Sequence, residues 1–245
     1  MNSVINVVIP MAGLGSRFAD AGYKNPKPFI DVNGKPMIER VLENLSIQGA
    51  RFILLARKEH IETNLEFLED IKNKFNATIF PVSSLTQGTA CTVLLARGYI
   101  NNDIPLVVAN SDQIVDINFD NYINDANSRG LDGSILTFHN PEQDPKWSFA
   151  RLDENNYVVE VKEKKPISEF ATVGIYYFKQ GRDFVDGAID MLLEQDTVNG
   201  EYYTCPTYNY LIRKKLKIGI YDIHHNQMHG IGTPNDLNEY VNNYL

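Results

Sequence analysis

Four short apolar runs recur along the first half of the chain, at residues 5–9, 51–56, 77–82 and 104–109. Runs of this length and Val/Ile content predict strands covered on both faces. Between them Met37-Ile38-x-x-Val41-Leu42-x-x-Leu45 repeats at three and four residues and predicts an amphipathic helix. Residues 59–75 predict a second helix with charged outer positions. Strand, helix, strand, helix, strand in this order implies parallel pairing through right-handed crossovers, and hence a doubly wound sheet. From Gly133 the texture changes to β-branched and aromatic runs at 134–138, 148–152, 157–162 and 172–178, separated by polar turns. Residues 183–193 and the segment after Asp236 predict further helices.

With 245 residues and 43% hydrophobic content, the expectation is one α/β domain over 1–245 with a sizeable core. The net charge of −8 disfavours a nucleic-acid partner, so any anionic ligand must be met by a local group of cations. No signal-like segment and no apolar run of spanning length is present, which leads us to expect a cytoplasmic protein without a membrane partner. Cys91 and Cys205 lie in no C-x-x-C pattern and read as structural thiols.

The first apolar run ends at Pro10 and hands the chain to a loop carrying Gly13, Gly15 and Arg17, followed by Pro26-Lys27-Pro28. Glycines let backbone amides approach an anion, and two fixed cations neutralise a polyphosphate. Proline on both sides of Lys27 stiffens the segment that presents the ammonium. Neither standard glycine motif is met: Phe18 stands where a dinucleotide fingerprint needs glycine, and no Gly-Lys-Ser/Thr closes a P-loop. Asp112, beyond the fourth run, is placed where ligands of open α/β sheets gather.

The G-x-G-x-R spacing, the P-K-P clamp and Asp31-Val32-Asn33-Gly34-Lys35-Pro36-Met37-Ile38 together resemble the opening of the sugar-phosphate nucleotidyltransferases, or NDP-sugar pyrophosphorylases. The resemblance implies a Rossmann-like, GT-A-like mixed sheet, with a nucleotide-binding half over about 1–130 and a β-rich acceptor-binding half with the C-terminal helix over about 131–245. It implies Arg17, Lys27 and Asp112 as catalytic residues, Asp112 also as the Mg²⁺ ligand, and Ala12, Gly13 and Gly15 against the nucleotide. Gln87-Gly88-Thr89-Ala90 resembles the segment that contacts the base, although a glutamine amide both donates and accepts and so does not choose one.

On the acceptor side the resemblance points to Ala150, Glu163, Lys164, Glu201 and His229. Other readings stay open for several of these. The run from Glu160 to Lys165 is also what a solvated charged face looks like, and Lys162 competes with Lys164 for register. Glu201 suits a helix N-terminus without any ligand, and His229 suits a core or surface position. Members of the family commonly carry W-x-D-x-G-T near the end, whose aspartate is a second metal ligand. Here that position is Gly230. The short chain and the M-H-G-I-G-T-P ending resemble compact capsule-cluster members, which implies CTP as the favoured triphosphate and a phosphorylated small molecule, phosphoglutamine among them, as acceptor. A hexose 1-phosphate with UTP, TTP or GTP stays open, as do a glycosyltransferase and a silent nucleotide-binding module. Asn110, where a glycosyltransferase D-x-D would begin, disfavours the former. Family habit implies a homodimer.

Overall fold

The computed structural model describes residues 4–245. Its strands are β1 (Ile5–Met11), β2 (Ala50–Arg57), β3 (Thr78–Val82), β4 (Leu106–Ala109), β5 (Gln113–Val115), β6 (Gly133–His139), β7 (Ser148–Leu152), β8 (Val158–Glu163), β9 (Phe170–Phe178), β10 (Ile218–Ile223) and β11 (Met228–Gly230). One sheet runs in the order β10-β6-β9-β4-β1-β2-β3. Strands β4, β1, β2 and β3 are mutually parallel, as the alternating pattern predicts, and β9 is antiparallel to both β4 and β6. The hairpin of β7 and β8 hangs from β9 through Phe149 and Ala171. Strands β5 and β11 form a separate antiparallel ribbon.

The apolar runs are continuous because both faces of the sheet are covered. Val7, Ile9, Phe52, Leu54, Val107 and Ala109 enter one core cluster. The alternate residues Val8, Ile53, Leu55, Leu106 and Val108 enter the other. This is the period of two expected of an extended chain, applied to a sheet with two apolar sides.

Two local expectations change. Pro10 does not end β1, which continues to Met11 with Pro10 opposite Leu55. Strand β4 pairs with β1 only as far as Val8, so beyond it the missing N–H of Pro10 faces no ladder on that side. The predicted helix over 59–75 is two helices, Lys58–Thr63 and Leu65–Phe75, parted at Asn64. The Asn64 amide donates to the His60 carbonyl at 2.9 Å, a side-chain bond that competes with the helical ladder. Several elements carry too little periodicity to be read beforehand: the helices Phe119–Ser128 and Thr207–Arg213, strand β10, and the three-residue strands β5 and β11. Thr207–Arg213 buries Thr207, Tyr208, Tyr210 and Leu211 and has no clean polar stripe.

The chain reverses direction across the sheet between β1 and β4, and the loops after these two strands open side by side. Loops at such a switch point form a crevice beyond the strand ends. Among the described residues, no helix is long and apolar enough to cross a membrane.

Candidate active site

The glycine loop follows β1 directly. Gly15 is left-handed, with φ 63°, and a Cβ built there would stand 3.0 Å from the Lys27 Cβ, so glycine is needed for Lys27 to come under the loop. Gly13 is different: its φ is ordinary and a Cβ there would meet nothing within 4 Å. The fold does not require glycine at 13; its lack of a side chain leaves the loop backbone open to the cleft. Ala12 is buried behind the loop, while Arg17 sits on the short helix Ser16–Asp20 and makes no side-chain hydrogen bond or ion pair among the described residues.

Lys27 begins a 3₁₀ turn, Lys27–Phe29, in which the Phe29 amide donates to the Pro26 carbonyl at 2.8 Å. The stiffness read from Pro26 and Pro28 is therefore a hydrogen-bonded turn, and it aims the Lys27 ammonium at the Asp112 carboxylate in a direct ion pair. Both side chains are only about one-fifth exposed, at 21% and 20%. Gly232 packs against the same carboxylate, where an added Cβ would lie 2.5 Å from Asp112 Oδ2.

Asp112 opens on a cleft of about 1010 Å³. Gly13, Arg17, Glu163, Lys164, Glu201 and His229 line the same cleft, although they come from loops and strands far apart in sequence. Glu163 ends β8 and accepts a short hydrogen bond from the Ser148 hydroxyl across the hairpin. Burial pushes its carboxyl up from the usual 4.5, with the Ser148 hydrogen bond and the Lys164 charge opposing and Glu201 adding to the rise. Lys164, just past the strand with φ 53°, donates to the Tyr203 hydroxyl at 2.7 Å, and this bond holds its ammonium above the ordinary value. Tyr203 in turn donates to Glu201. Burial, then the Glu201 bond, raise its phenol, while Lys164 opposes. Of the two lysines, Lys164 lines the cleft, while Lys162 does not and pairs with Glu160 at 3.7 Å.

The remaining residues named from the sequence sit differently. Ala150 is fully buried in the second core cluster, and its neighbours Trp147 and Ser148 line the cleft instead. The Gln87 side-chain amide donates to the Gly200 carbonyl at 3.1 Å, and the Gln87 backbone carbonyl accepts from the Tyr202 amide at 2.9 Å. Gly88, with φ 113°, is pressed against that same strand of chain; a Cβ there would fall 2.4 Å from the Tyr202 carbonyl oxygen. The 87–88 segment and the 200–202 segment are therefore one unit at the cleft rim. His229 is 6% exposed, 2.8 Å from the Asp116 carboxylate and packed beneath Tyr244.

Residues that sequence reasoning passed over also line the cleft: Trp147, Tyr203, Tyr240 and Gln113 among them. The signal for Gln113 was adjacency to Asp112; Tyr240 had none beyond its place on the C-terminal helix Pro234–Tyr244. Both cysteines are free thiols, and burial pushes both up, Cys205 far more than Cys91.

Known proteins share this architecture. The fold matches a nucleoside-diphosphate-sugar pyrophosphorylase from Vibrio cholerae RC9 with a TM-score of 0.81 and 25% identity, over 96% of this chain and 99% of that one. It also matches an inositol-1-phosphate CTP transferase from T. maritima with a TM-score of 0.74 over 100% and 99%, a likeness at 13% identity that concerns the fold alone. In sequence the chain is 27% identical to the bifunctional protein GlmU of Methanococcus aeolicus, over 71% of this chain and 40% of that protein. It is 26% identical to the mannose-1-phosphate guanylyltransferase catalytic subunit beta of Dictyostelium discoideum, over 71% and 49%. The chain spans less than half the length of these two curated relatives. The family model described as Nucleotidyl transferase matches residues 6–202, which hold most of the sheet and the cleft-lining residues from Gly13 to Glu201 but not those from Tyr203 to Tyr244, and the chain belongs to that family.

Proposed function

We propose that the cleft transfers a nucleotidyl group from a nucleoside triphosphate to a phosphorylated small-molecule acceptor. The observation that carries this reading is a single cleft lined by two sets of residues: Gly13, Arg17 and Asp112, whose carboxylate is paired with Lys27, and Lys164 with Glu163 and Glu201. One set suits a triphosphate and the other a second phosphate compound. An oxygen of the acceptor phosphate attacks the α-phosphorus, the bond from that phosphorus to the bridging oxygen breaks, and pyrophosphate leaves with the bond's electrons. The acceptor oxygen is already ionised at neutral pH, so no side chain has to remove a proton.

Both reactants are anions, and the barrier is chiefly one of charge and position. Arg17 and the amides around Gly13 hold the outer phosphates. Lys27 neutralises charge growing at the α-phosphate from a turn that does not have to reorganise. Lys164 fixes the attacking phosphate. Glu163 and Glu201 accept hydrogen bonds from donors elsewhere on the acceptor.

Asp112 is the residue that would hold Mg²⁺. Among the described residues no three His, Cys, Asp or Glu side chains gather to form a cage. Mg²⁺ takes one or two carboxylates and completes its shell with phosphates and water. When bound, it neutralises charge on the phosphates being separated.

The resemblance of the M-H-G-I-G-T-P stretch to capsule-cluster members supports CTP as donor, with phosphoglutamine giving CDP-glutamine for a capsular or surface polysaccharide. The two carboxylates beside Lys164 suit an acceptor with hydroxyl or ammonium donors as well as a phosphate. The likeness to the Dictyostelium mannose-1-phosphate guanylyltransferase subunit favours a second reading, GTP with mannose 1-phosphate. A screen of CTP, UTP, TTP and GTP against phosphoglutamine and hexose 1-phosphates, with Mg²⁺, separates these by pyrophosphate release and product mass. CTP with phosphoglutamine is expected to turn over. Silence with every pair sinks the transferase reading, and turnover only with a hexose 1-phosphate sinks the acceptor assignment.

A further inference from the structure

Gln113 follows Asp112 directly and opens β5 opposite Gly230 of β11. It is 8% exposed and lines the cleft. Its side-chain carboxamide makes no hydrogen bond among the described residues, and its oxygen Oε1 is fully buried without a partner. A buried acceptor left unpaired costs on the order of 1–3 kcal/mol, and native structures keep few of them. Gln113 Oε1 is one of three such side-chain atoms among the described residues, and the one of them that belongs to a cleft-lining residue.

The chain beside it is equally specific. A Cβ built on Gly230 would meet only Gln113 Oε1, at an ordinary 3.8 Å, so a side chain at 230 would stand next to that oxygen and glycine leaves its neighbourhood without one. Two residues on, Gly232 touches the Asp112 carboxylate. Along this one stretch the chain is stripped of side chains at two alternate positions, one facing a carboxylate and the other facing an orphaned amide oxygen. Phosphate oxygens cannot satisfy Gln113 Oε1, because acceptor would meet acceptor, although they could take up the amide N–H groups. A hard cation, or a water bound to it, can.

We propose that Gln113 Oε1 is the second protein oxygen of the Mg²⁺ site, working with Asp112 beside the two glycines of the facing chain. The inference rests on the transferase reading above only in expecting a divalent cation with phosphates at Asp112. A neutral oxygen here leaves the site one negative charge lighter than a pair of carboxylates would, and it makes the metal depend more on the bound phosphates.

The test is Mn²⁺ binding followed by electron paramagnetic resonance, in the presence of inorganic tripolyphosphate, which makes the readout independent of base and acceptor. Gln113→Leu, which keeps the bulk of the side chain, is expected to raise the Mn²⁺ Kd about 10-fold or more, the range seen when a partner of a metal site is lost. Gly230→Asp, for which the structure has room, is expected to restore binding when added to Gln113→Leu. Gln113→Glu is expected to bind Mn²⁺ at least as tightly as the unaltered chain. An unchanged Kd in Gln113→Leu overturns the assignment, and so does a rise in acceptor KM with Mn²⁺ affinity untouched. Failure of the unaltered chain to bind Mn²⁺ with tripolyphosphate overturns it as well. If instead the Mn²⁺ pattern holds while no triphosphate and acceptor pair releases pyrophosphate, the metal site stands and the transferase reading falls.

Discussion

At the scale of single residues, the ion pair of Lys27 with Asp112 is the centre of the site. Lys27→Ala removes a fixed charge donor and is expected to cost about 3 kcal/mol of transition-state stabilisation, roughly a hundredfold in kcat/KM. Nearly full pyrophosphate release by that variant would remove Lys27 from the mechanism. Gly232→Ala probes the other partner. Its Cβ would press on Asp112 Oδ2, the free end of a flexible side chain, so the carboxylate swings aside while the backbone is spared. Activity is expected to fall about a hundredfold with the melting temperature almost unchanged; a variant that melts early yet retains its rate would contradict this account. Lys27 was legible in the sequence because its two prolines flank it. Gly232 as the neighbour of Asp112 was not, since the two meet only through the pairing of β11 with β5.

At the scale of elements, the segment around Gln87 and Gly88 is sewn to the segment around Gly200 and Tyr202. The Tyr202 amide donates to the Gln87 carbonyl, and the Ala90 amide donates to the Tyr202 carbonyl at 3.0 Å. Gly88→Ala sets a Cβ into the Tyr202 backbone at a φ that L-residues rarely adopt. The expected loss is about 3 kcal/mol from strain and overpacking together, seen as an earlier thermal transition. An unaltered transition would show that the two segments separate freely. Long periodic elements of the N-terminal half were readable because their apolar residues lie at spacings set by one strand or one helix. Strands β5 and β11 were not, because three residues hold no period and each is extended only against the other.

At the scale of the whole molecule, burial of Glu163 links the acceptor end of the cleft to stability. Its folded carboxyl holds a proton more tightly than the unfolded chain does, so its contribution is fully present below the usual 4.5 and is lost as pH rises through the raised value. Glu163→Gln keeps an acceptor for Ser148 and removes the titration. The variant is expected to gain stability relative to the unaltered chain as pH climbs through that window and to hold the gain at neutral pH, at the expense of acceptor KM. Parallel melting profiles across pH would contradict the burial of this group.

The sequence by itself determined the alternating strands and helices, the parallel half of the sheet, the glycine loop with its two cations, and the placement of Asp112 past a strand end. Each of these is written in residues that are neighbours along the chain, where periodicity and turn chemistry act. Only the tertiary structure decided that Lys164 rather than Lys162 faces the cleft, that Ala150 belongs to the core, and that Gln113 stands unpaired before Gly230. Those outcomes depend on which distant segments pack together, and pairwise burial of that kind leaves no spacing in the chain to be read.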